Sequence, residues 1–155
     1  MTDYKIIEIA EQPYVYADCV CAMEPSAISA TISKAFADVM GFIQSHGLTL
    51  TGPALSVYYS YDPDTVTFRA GFFVSAEDAQ KAEGEIRAGT TPSGRVLNFV
   101  HTGPYSELGL SYQAMMGWLQ QQGLTLGAPT WEVYIDDPDT TPADKMRTDI
   151  FVTLA

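Results

Sequence analysis

The sequence predicts an α+β fold built by duplication of one half-domain. Strand-like and helix-like hydrophobic periods alternate along the chain, and one framework occurs twice, each time followed by Asp-Pro-Asp. The framework reads MGFIQSHGLTLTGPALSVY at 40–58 and MGWLQQQGLTLGAPTWEVY at 116–134. At a constant offset of 76 residues, 10 of the 19 positions are identical. A period this long, present only twice, indicates a duplicated half; a solenoid needs three or more copies.

The elements follow in order. Tyr4 to Glu11 and Tyr14 to Ala22 are rich in Ile, Val and Tyr and read as strands. Pro25-Ser26 opens a helix whose apolar residues Ile28, Ile32, Phe36, Val39, Met40 and Ile43 keep a 3.6 period, and Gly47 closes it as a left-handed cap. Ala54 to Tyr61 and Val66 to Val74 are strands around the turn Asp62-Pro63-Asp64. In the second half, Arg95 to His101 is a strand, Thr102-Gly103-Pro104 a turn, and a helix runs from near Ser106 to Gly123. Thr130 to Asp136 and Arg147 to Leu154 supply the last strands, around Asp137-Pro138-Asp139. The expected unit is βαββ, twice, in one domain over 1–155: repeat 1 over about 1–75, repeat 2 over about 95–155. The polar segment 76–94 joins them with room for a helical turn and a short strand. Antiparallel sheets meeting across a pseudo-two-fold leave a cleft, a favoured place for a ligand.

Composition narrows the function. A chain of 155 residues with 46% hydrophobic content can bury one sizeable core. Lys and Arg number 8 against 19 Asp and Glu, a net charge of −11, which repels phosphate backbones, so nucleic acid is not an expected direct partner. No apolar run approaches the about 20 residues of a membrane span, and no secretory signal is legible. Cys19 and Cys21 share one strand face in poor geometry for a disulfide and without a metal-ligand set. They read as buried free thiols of a cytoplasmic protein, with no metal and no cofactor expected.

Alternation splits the strand at 130–136 into two faces. Trp131, Val133 and Ile135 form one, matched by Leu55 and Val57 in the first repeat, and this face is expected to pack on the helices. Glu132, Tyr134 and Asp136 form the other, against Ser56 and Tyr58. Glu132 is then either a solvated strand residue or a carboxylate facing the cleft, and the residues alone support both equally. A carboxylate among aromatic rings suits a flat, cationic ligand, and desolvation would raise its pKa towards that of a usable base.

His101-Thr-Gly-Pro-Tyr105, the helix through Trp118-Leu119, Gly123-Leu124, and Glu132-Val-Tyr134 followed by Asp137-Pro138 together resemble the GyrI-like family. That family includes effector-binding domains of AraC- and MerR-type regulators such as Rob and BmrR, and small stand-alone proteins. The resemblance covers essentially the whole chain. It implies an SHS2-like duplication with a central ligand groove and Glu132 as the groove glutamate, which in multidrug-sensing members contacts lipophilic cations. Tyr58, Tyr134 and Trp118, assigned by repeat geometry, join Tyr105 and Tyr112 as expected ligand-binding residues. The family also implies alternatives: hydrolysis of cyclopropanoid compounds with Glu132 catalytic, or a protein partner such as a regulator or gyrase. No helix-turn-helix segment is expected within the 155 residues.

Other residues read structurally. His101 is better explained by bonds to loop backbone than as a catalytic base, since no nucleophile is marked beside it. His46 suits its helix C-terminus, the four turn aspartates are turn formers, and Met115, Met116, Trp118 and Leu119 read as core, with part of Trp118 able to edge the groove. The expectation is thus a stand-alone binding protein for an aromatic or lipophilic small molecule, cations included, as a monomer or weak dimer.

Overall fold

A computed structural model of the chain describes residues 3–137 and 140–155. The elements are β1 (Lys5–Ile9), β2 (Pro13–Ala22), α1 (Pro25–His46), β3 (Leu50–Tyr61), β4 (Thr65–Val74), α2 (Ala76–Ala79), β5 (Ile86–Thr90), β6 (Gly94–Thr102), α3 (Leu108–Gln122), β7 (Leu126–Tyr134) and β8 (Arg147–Leu154). Their local causes match the sequence signals. Pro25 stands in the first turn of α1, and Gly47 and Gly123 end α1 and α3 at φ of 68° and 69°, where a Cβ is unfavourable. Asp62 Oδ1 accepts from the backbone of Asp64 and Thr65 and closes the β3–β4 turn. Pro138 and Asp139, expected in the matching turn, lie outside the described residues. The expected helix start near Ser106 is a 3-10 turn over Tyr105–Glu107, and α-helix begins at Leu108.

The antiparallel sheets of the two halves meet as one continuous sheet, in the order β1-β6-β8-β7-β3-β4-β2-β5. The halves join edge to edge through β3 and β7, where Ser56 pairs with Glu132, Val57 with Trp131 and Leu55 with Val133. Ser56 and Glu132 are the same position of the repeat, so the pseudo-two-fold passes through this pair. The halves also exchange their outer strands. β1 lies against β6 of the second half, and β5, from the joining segment, lies against β2 of the first.

Cross-strand partners share a face, which corrects the expected orientation of β7. Glu132 is paired with Ile150, and Ile150 packs with Leu97, Phe99 and Val152 against Met115 and Leu119 of α3. The helices therefore cover the Glu132 face. Trp131 and Val133 lie on the other one, with Leu55, Val57, Tyr14, Tyr16, Phe73, Val96 and Phe151. No helix residue belongs to that cluster, yet Leu55 and Val57 are wholly buried. The sheet itself supplies the cover, curling so that this face lies inside. A Cβ on Gly71 would come 1.9 Å from the carbonyl oxygen of Val15, so glycine is required where β2 and β4 approach. Met115 is core as expected, whereas Met116 is 45% exposed.

Candidate functional site

Glu132 lies at the centre of the sheet and is 4% exposed. Tyr112, from α3, donates its hydroxyl to Oε2 at 2.6 Å, and Tyr134, two residues along β7, donates to Oε1 at 2.8 Å. Burial pushes the carboxyl up from its ordinary value, while the two phenol O–H groups and the His101 ring pull it back. Among the described residues no lysine or arginine forms an ion pair with it. A buried carboxylate without a cation is costly to maintain, which makes this the least comfortable group in the core.

The tyrosines form a cage. Tyr134 meets Phe36 of α1 edge-on at 6.1 Å and Tyr105 edge-on at 5.4 Å between ring centroids. Tyr58 stacks on Phe68 at 5.3 Å, and burial first, then the Glu132 charge, drives its hydroxyl pKa far up. Burial does the same for Tyr112 and Tyr134, with the Glu132 charge adding to it, so all three phenols stay protonated donors. Tyr105, Tyr112, Tyr134 and Phe36 are half-buried. Two depressions lie to the side of this cluster: one of about 550 Å³ beside His101, Glu107 and Ser111, and one of about 350 Å³ beside Asp18, Cys19 and Lys34.

Five of the six residues assigned to the ligand are thus gathered around one face: Glu132, Tyr134, Tyr58, Tyr105 and Tyr112. Trp118 stacks instead on Tyr4 at 5.0 Å, within the cluster beneath the outer side of α3. Phe36 joins the cage; the sequence showed it only as one more residue in the apolar stripe of α1. His101 holds the loop, since Nε2 lies 3.1 Å from the Pro104 carbonyl oxygen and must donate to it. Its Nδ1 is 2.6 Å from Ser111 Oγ on α3, a contact with no sequence signal. Gly103, at φ 134°, allows this turn, and His101 thereby fixes the loop carrying Tyr105 to the helix carrying Tyr112.

Residues 2–155 match the model of the GyrI-like small molecule binding domain. The chain belongs to the GyrI-like family. It is a small-molecule binding domain of that family, and its fold recurs in solved structures. The EcmrR C-terminal domain superposes with a TM-score of 0.83 at 22% identity, covering 100% of this chain and 98% of that one. EcmrR in its complex with DNA gives 0.82 at 23% identity over 99% of this chain, which spans 57% of that longer one. SAV2435 bound to tetraphenylphosphonium gives 0.69 at 15% identity, covering 99% and 94%. A hydrolase from Listeria innocua gives 0.64 at 15% identity, covering 98% and 91%. At such identities the likeness is one of fold. No curated protein matches the chain.

Proposed function

We propose that this GyrI-like domain binds an aromatic or lipophilic cation at Glu132, with Tyr58, Tyr105, Tyr112, Tyr134 and Phe36 as its contact surface. The observation that carries this reading is a buried carboxylate held by two phenol O–H bonds and, among the described residues, paired with no lysine or arginine. A bound cation supplies the missing charge where the low dielectric strengthens the attraction, and each ring face adds a cation–π contact of about 0.5–2 kcal/mol. Tetraphenylphosphonium in SAV2435 shows that this fold accommodates such a molecule in another protein. A fluorescence titration compares an aromatic cation with an uncharged aromatic of the same size, on wild type and Glu132→Gln. The expected result is a clear preference for the cation in wild type and little preference in the variant. Equal preference in both proteins would refute the reading.

A second reading, hydrolysis, is favoured by the raised Glu132 carboxyl, which makes it a better base than an exposed glutamate. Glu132 would take a proton from water as the water oxygen attacks an electrophilic carbon, and a tyrosine hydroxyl would protonate the departing group. Each Glu132 oxygen already accepts one tyrosine O–H, which suits holding a charge better than positioning water. Incubation with a strained cyclopropane electrophile separates the readings: product formed by wild type and not by Glu132→Gln selects hydrolysis.

A further inference from the structure

Two hydroxyls near Glu132 lack a well-aligned hydrogen bond among the described residues. Ser56 Oγ and Thr148 Oγ1 are completely buried, and neither makes a hydrogen bond among the described residues. Ser56 Oγ stands within hydrogen-bonding reach of the Tyr58 and Tyr134 hydroxyls and lowers the pKa of both, yet forms no well-aligned bond with either. Buried polar groups are almost always paired, so two orphans in one neighbourhood need a cause.

Their positions supply it. Ser56 stands directly opposite Glu132 on β3, and Thr148 opposite Tyr134 on β8, so both share the helix-covered face with the carboxylate. Directly opposed side chains lie about 5 Å apart at Cβ and diagonal ones about 7–8 Å. The two hydroxyls therefore flank Glu132, one on each side. The same face carries Ala70 next to Ser56 and Ile150 next to Glu132, so apolar side chains fit here.

We propose that Ser56 and Thr148 are specificity-determining residues, and that the ligand of the Glu132 site is an aromatic cation carrying N–H donors, a protonated aryl amine or amidinium. This rests on the cation-binding reading of Glu132 and narrows it. Each Glu132 oxygen accepts one phenol O–H and keeps further lone pairs for a ligand. A planar amidinium points N–H groups in more than one direction, so one edge donates to the carboxylate while its flanks donate to the hydroxyl oxygens. A phosphonium or quaternary ammonium brings charge and area but no donor, and leaves both hydroxyls as they are.

Calorimetric titration of 2-naphthamidinium and of tetraphenylphosphonium into wild type, Ser56→Ala, Thr148→Val and Glu132→Gln tests this. Each hydroxyl deletion weakens the amidinium about five- to tenfold and leaves tetraphenylphosphonium within about twofold. Both deletions also leave the ligand-free protein at least as heat-stable as wild type, because an unpaired buried hydroxyl is removed. Unchanged amidinium affinity in both variants, or equal weakening of the two cations, overturns the proposal. If wild type binds tetraphenylphosphonium but not the amidinium, the donor requirement fails and the Glu132 reading stands. If Glu132→Gln binds both cations as well as wild type does, the Glu132 reading itself fails, and this proposal with it.

Discussion

Among single residues, Glu132 is held in the core at a cost in stability. Because burial holds its carboxyl above the ordinary value of 4.5, the folded chain binds that proton more tightly than the unfolded chain. Its contribution to stability is therefore present below the ordinary value and is lost as pH rises through the folded value. Glu132→Gln removes the titration; its amide oxygen still accepts from one phenol, and its NH2 donates to the oxygen of the other. In thermal melts without ligand it should exceed wild type by several degrees at about pH 8, and the gap should narrow towards about pH 5. The tyrosines work the other way. Tyr112→Phe at about pH 7 removes a hydrogen bond to a buried charge and should cost about 1.5–3 kcal/mol in urea unfolding; a loss of about 1 kcal/mol or less would mean that the carboxyl is already neutral there. Glu132 and Tyr134 were legible because the repeat aligns them with Ser56 and Tyr58. The orphan hydroxyl of Thr148 was not, since a threonine in a β-branched strand carries no signal until its neighbours across the ladder are known.

At the scale of elements, the helices and most strand limits followed from periodicity, Pro25, Gly47 and Gly123, because those signals act within a few residues. The orientation of β7 did not. Both its faces are buried, one beneath the helices and one inside the curl of the sheet, so apolar content could not tell which face Trp131 takes. The exchange of β1 and β5 between halves was equally hidden, because it is a choice of distant partner made by strands of similar composition. Where β2 and β4 approach, Gly71→Ala should cost about 3 kcal/mol or more, since the new methyl meets backbone that cannot turn aside. Gly123→Ala, with open space around it but φ of 69°, should cost only about 1 kcal/mol. Chemical denaturation of the two variants checks the order, and a milder effect at Gly71 would contradict the close approach.

For the whole molecule, duplication explains where the site sits. The pseudo-two-fold brings Ser56 and Glu132 face to face at the middle of one sheet, so a single difference between the repeats places a lone carboxylate on the axis. The surrounding chain carries a net charge of −11, which draws cations in and weakens with salt. Stopped-flow association of an aromatic cation should slow several-fold between low and physiological ionic strength, whereas an uncharged aromatic should not respond. The central claim is that Glu132 holds a cation, and calorimetric titration of tetraphenylphosphonium into wild type and Glu132→Gln tests it most directly. Saturable binding by wild type that weakens at least about tenfold in the variant is the predicted result. Equal affinity in the two proteins, or no binding to either, would contradict it.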